Sequence, residues 1–161
     1  EHVLKVLFDE LDNNIQSPLS GKMSRTKSVS GKISHVSFQN GIKPILNKAP
    51  FNTFTLDQKK KVLLNFFQAL EEVLVQLFED NKKISNAAFF QATMISFIDI
   101  CHVTNSNSGD FKKISFEDTL QALGKVDWDI HTGTNKAAIN SLAENIISVV
   151  SEKIEIKDEL F

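Results

Sequence analysis

One cysteine, Cys101, stands in the 161 residues, so no internal disulfide can form. A lone thiol makes the cytoplasm the default location. Tyrosine is absent while phenylalanine occurs 13 times, so the aromatic content carries almost no polar handle. No stretch reaches the roughly 18 uninterrupted apolar residues of a membrane helix, and no membrane association is expected. P-loop, dinucleotide glycine, G-x-S-x-G and zinc signatures are all missing. No cofactor or metal is therefore expected, and no complete catalytic constellation is present. The chain opens on Glu1 rather than Met, which leads us to expect either a longer open reading frame or processing.

Acid is also missing from one long window. The net charge of −2 divides unevenly. Residues 1–14 carry −3 and residues 57–161 carry −5. Residues 15–56 carry Lys22, Arg25, Lys27, Lys32, Lys43 and Lys48 with no carboxylate. Such an asymmetry can mark a phosphate-contacting surface. These six side chains are the candidate DNA-binding residues. The plainer reading is a solvated loop lying near an acidic remainder.

What is present is ordinary globular composition, 42% hydrophobic and 24% charged, enough for one domain with a sizeable core. Val3, Leu4, Leu7, Phe8 and Leu11 recur at helical spacing over 1–14. Residues 16–33 form a basic, Ser- and Lys-rich stretch with Pro18, Gly21 and Gly31. Short strands around Met23 and Ile33, facing each other as a small hairpin, are one reading of it. A disordered loop is the other. Ser34 is a plausible N-cap for a helix over 35–47, with a break expected near Pro44.

Thr55 and Gln58 form a capping box. It opens an amphipathic helix over 56–80 in which Leu63, Phe66, Phe67, Leu70, Leu74 and Leu77 share a face. From Ile84 to Ile98 no side chain is charged, and Phe90, Met94, Phe97 and Ile98 spread around the helix. A helix apolar on all sides is buried on all sides, so 84–102 is expected at the centre. Residues 103–114 read as a polar loop. Ser115 with Asp118 reads as a second capping box for a helix over 115–123, ended by Gly124. The last helix, over 134–153, begins near Thr134 or Asn135, with a frayed tail beyond it. The expected fold is all-α, an irregular bundle in one domain around a buried central helix.

Two clusters have chemistry-bearing residue types. Asp127-Trp128-Asp129-Ile130-His131 has no second histidine or thiolate at ligand spacing, which makes a solvated turn the better reading. Cys101 and His102 are adjacent on a helix and point about 100° apart, so a buried structural cysteine is favoured. The phenylalanines lie on inner stripes and form core rather than a stacking platform for bases.

The run Leu11-Asp12-Asn13-Asn14-Ile15-Gln16-Ser17-Pro18-Leu19-Ser20-Gly21-Lys22-Met23 resembles the segment that follows the core of DGQHR-domain proteins. There a helix ends in an Asn/Asp-rich turn followed by Ser-Pro-Leu/Phe and a Gly-Arg/Lys-hydrophobic step. Gly31-Lys32-Ile33-Ser34, Phe38 and Ile42-Lys43-Pro44-Ile45-Leu46 are similar to the next step in that family. The later order, with Asn65-Phe66-Phe67 and Ala69 on a long helix, is similar too. The family includes the DndB-type proteins of bacterial DNA phosphorothioation systems. The Asp-Gly-Gln-His-Arg motif itself is absent, so the resemblance covers a helical C-terminal portion and carries over no catalytic residue. It implies a role in DNA modification or its transcriptional control, with DNA as partner. The rival expectation is a scaffold that docks a protein partner or a second copy of itself.

Overall fold

The computed structural model describes residues 2–79, 86–126, 128 and 135–154. The described residues form an all-α bundle of seven helices with one two-stranded ladder. Helix α1 (His2–Asn13) buries Leu4, Leu7, Phe8 and Leu11, the stripe its spacing predicts. Strands β1 (Met23–Ser24) and β2 (Ile33–Ser34) follow, then α2 (His35–Ile42) and a 3-10 segment Lys43–Asn47. The long helix α3 (Leu56–Val73) starts at the Thr55/Gln58 capping box, with both reciprocal hydrogen bonds formed. A short α4 (Gln76–Glu79), the central α5 (Ala87–Ser108), α6 (Lys113–Leu120) and α7 (Lys136–Ser151) complete the order.

Helix α5 is the hub, packed against α7, α2 and α6, while α3 lies on α6. Phe90, Met94 and Phe97 are fully buried and Ile98 nearly so. Its buried hydroxyls bond back to their own helix: Thr93 donates to the Phe89 carbonyl and Ser96 to that of Ala92. The helix therefore imports no unsatisfied polar group into the core. Burial is not complete all round. Ile95, half-buried Asp99 and exposed His102, at i, i+4 and i+7, form a narrow outward stripe. By length and hydropathy α5 alone among the described residues could cross a bilayer, but most of that window is buried in the bundle.

Ten phenylalanine rings run through the core in one chain of neighbours, from Phe8 through Phe38, Phe90 and Phe67 to Phe66, Phe97 and Phe116. Phe51 joins at Phe97, Phe54 at Phe51 and Phe111 at Phe116. Most contacts are edge-to-face, the arrangement favoured by the ring quadrupole.

Several boundaries differ from the sequence expectation. The strands pair in parallel, Met23 opposite Ile33, so the small hairpin is corrected to a parallel bridge. The helix expected over 56–80 breaks at Leu74, whose backbone leaves the helical region. The chain restarts as α4, which turns Leu77 and Phe78 into the core and leaves Val75 partly exposed. Helix α5 continues through the expected polar loop to Ser108. Thr104 there is buried against Thr119, and Asn107 donates to the Lys153 carbonyl. Gly109, left-handed at φ 75°, ends it, a conformation that costs glycine nothing. Ser115 is not an N-cap, since α6 begins two residues earlier. Lys112 is the N-cap, without a side-chain cap bond, and Asp110 just ahead of it accepts from the Lys112 N–H at 3.0 Å and the Ser115 hydroxyl at 2.6 Å.

Those two bonds stabilise the charged carboxylate and hold the Asp110 pKa below its ordinary value, the Ser115 contact counting most. A depressed folded-state pKa gives stability that is present above the unfolded-state carboxylate pKa and is lost as pH falls through the folded value. In a carboxyl NMR titration Asp110 is expected to titrate below a model aspartate. In Ser115→Ala the midpoint should move up toward that model, and an unmoved midpoint refutes the assignment.

Candidate nucleic-acid interface

The basic window maps onto the β1–β2 connection, α2 and the 3-10 segment, and the fold uses its six cations in different ways. Arg25 is bound by the helix before it. Its guanidinium meets Asp9 at 2.5 Å, Asp12 at 3.1 Å and the Asn13 side chain at 3.3 Å, and lies 5.1 Å from the centre of the Phe8 ring. The Asp9 hydrogen bond is the main reason its pKa stays above the ordinary value. Each such exposed pair contributes only about 0–1 kcal/mol, but together they direct Arg25 onto α1. Lys22 is half-buried and reaches the Phe78 carbonyl at 3.4 Å.

Lys27, Lys32, Lys43 and Lys48 are exposed, and their ammonium groups have no partner among the described residues. They flank α2 at both ends, with Lys27 and Lys32 before it and Lys43 and Lys48 after it. Along the chain these charges therefore fall into two groups, one on each side of α2.

Helix α2 sits between them for local reasons. Ser34 caps it, its hydroxyl accepting from the Ser37 N–H at 3.1 Å. Ser37, Phe38, Gly41 and Ile42 face inward. Gly41 allows a close approach to α5: a Cβ there would meet Met94 Cγ and Phe90 Cε2 at 3.0 Å. His35, Val36, Gln39, Asn40 and Lys43 are left on the opposite arc, exposed or half-exposed. His35 and Gln39 hold each other through their side-chain nitrogens at 2.9 Å. Beside them lies a cleft of about 330 Å³, floored by Leu4 and Phe8 and rimmed by Arg25 and His35. Charge alone did not single out His35, Gln39 or Asn40. The helical period over 35–42 would have done so.

The Cys101–His102 pair shows no arrangement for nucleophilic chemistry. Cys101 is buried, and loss of solvation pushes its thiol well above its ordinary pKa, while His102 is exposed. Among the described residues no three His, Cys, Asp or Glu side chains converge. Asp127 and residues 129–131 lie outside the described residues, as do the expected first residues of the helices at 84 and 134 and the tail beyond 154. Trp128 is buried against Phe89. The chain matches no family model, no curated protein and no solved structure.

Proposed function

We propose that the chain is a non-catalytic accessory or regulatory module of a DGQHR-type, DndB-like protein of DNA modification, and that it touches the DNA backbone weakly in the cytoplasm. The observation that carries the DNA contact is the set of four exposed lysines, Lys27, Lys32, Lys43 and Lys48, in a window with no carboxylate. The Ser-Pro-Leu and Gly-Lys-Ile-Ser runs supply the family direction. Arg25 and Lys22 play a smaller part in the contact, because internal acceptors hold them. The acidic remainder repels the duplex and confines it to this edge.

Each phosphate contact releases counterions and lowers log affinity by about 0.9 per decade of salt. Three or four lysines on one duplex face give a slope near −3 by that rule. Fluorescence anisotropy of a labelled duplex at about 50 and 200 mM salt tests this. The parent is compared with Lys27→Glu/Lys32→Glu/Lys43→Glu, a set of exposed positions whose change leaves the core intact. The parent should bind at low salt with that slope, and the variant should not bind. If neither binds, or both bind equally, the basic window is a solvated surface and the bundle acts as a scaffold for a protein partner or a second copy.

A further inference from the structure

We infer that α2 is a base-reading helix, whose outward face enters the major groove of duplex DNA with Asn40 on a base edge and lysines at either end on the phosphates. This role presupposes the backbone contact proposed above and adds sequence recognition to it.

Three features of α2 converge. The first is the division of its faces. At about 100° per residue, His35, Gln39, Lys43, Val36 and Asn40 span roughly 140° of arc, opposite the buried Ser37, Phe38, Gly41 and Ile42. The inner face is seated on α5 through Gly41, so the outer face is presented by a rigid support rather than a loop.

The second is chemistry. The outward arc carries no carboxylate. Asn40 is exposed, and its amide has no partner among the described residues. An asparagine amide both donates and accepts in one plane, which matches the N6 and N7 edge of adenine. Val36, 64% exposed, offers methyl groups of the kind that meet a thymine methyl. Gln39 and His35 orient each other at the side of that face.

The third is electrostatics. A helix about 10–12 Å across with its side chains fits a major groove about 12 Å wide, and in sequence lysines stand beyond both of its ends. The carboxylate closest to α2 along the cleft is Asp9, and Arg25 lies directly on it. The face offered to the duplex is thus cationic at its ends and amide-bearing in its middle.

The test is selection of bound duplexes from a pool with a randomised centre at about 50 mM salt, followed by anisotropy on the enriched site and a scrambled control. The parent should enrich an adenine-containing site and prefer it roughly 5-fold or more, the discrimination of one bidentate base contact. Asn40→Ala should erase the preference while keeping the salt slope. Lys43→Ala/Lys48→Ala should flatten the slope by about 0.9 per lost contact while keeping the preference. A parent that binds all duplexes alike, or a preference that survives Asn40→Ala, overturns the base-reading role and leaves the backbone contact standing. Absence of binding at low salt overturns both.

Discussion

Phe97→Ala is expected to cost about 3–5 kcal/mol of stability. The side chain is fully buried where α5 meets α3, α6 and the Phe51–Thr53 turn. Its ring centre lies 5.0 Å from that of Phe66, 5.6 Å from Phe51 and 6.4 Å from Phe116. Truncation removes the transfer free energy of the ring and leaves a cavity whose walls are rings pinned by further rings, so collapse to fill it is limited. Domains of this size commonly hold about 5–15 kcal/mol in total, so the loss is a large part of the whole. In urea unfolding the midpoint should drop with the slope nearly unchanged. Ile95→Ala, on the outward stripe of the same helix and 39% exposed, should cost clearly less than Phe97→Ala. A loss below about 1 kcal/mol for Phe97→Ala would mean that α5 is not the core helix.

The second large effect is expected at Gly41, where two terms of opposite sign compete. A glycine inside a helix is about 1 kcal/mol worse than alanine, so substitution gains helix propensity. The added Cβ must sit 3.0 Å from both Met94 Cγ and Phe90 Cε2 and 3.2 Å from Met94 Cβ, closer than comfortable contact. For Gly41→Ala the Met94 side chain and the buried Phe90 ring must each give a few tenths of an ångström, a cost set against the propensity gain, so the net change should lie within about 1 kcal/mol of zero. For Gly41→Leu the branched side chain has no room at all. Overpacking of this kind costs about 1–3 kcal/mol and sometimes more, and here it pushes α2 off α5. Adding Met94→Ala should recover part of that loss, giving a coupling energy of about 0.5–3 kcal/mol in a double-mutant cycle. Equal stability of Gly41→Ala and Gly41→Leu would show that α2 does not seat on α5 at this point.

Much of the architecture is local enough to be read in the chain. The stripe Leu4, Leu7, Phe8, Leu11 needs only a 3.6-residue period to find its buried face. The Thr55/Gln58 box, the Ser34 cap and the Asn135 cap bond to backbone three residues away. The uncharged run before Asp99 marks α5 as central, because charge rarely survives in a core.

Other features lie beyond the reach of such rules. Asn105-Ser106-Asn107-Ser108 favours loop locally, since these side chains compete for backbone bonds. Yet Thr104 bonds Thr119 across 15 residues and Asn107 bonds Lys153 across 46, and those contacts keep α5 helical to Gly109. No glycine or proline announces the break at Leu74. It follows from the need to bury Leu74, Leu77 and Phe78 together. The parallel pairing of Met23 with Ile33 likewise depends on where the flanking elements sit.

The basic window shows the same division. Its composition was open to view: six cations and no acid between residues 15 and 56. Only folding brought Arg25 onto Asp9 and Asp12, placed Lys22 at the Phe78 carbonyl and turned Asn40 outward between two pairs of exposed lysines. Period, capping and composition act over about four residues of chain and so belong to the sequence itself. The partner a side chain meets is set by residues distant in sequence, and the packing of α1, α2 and α5 against one another decides it.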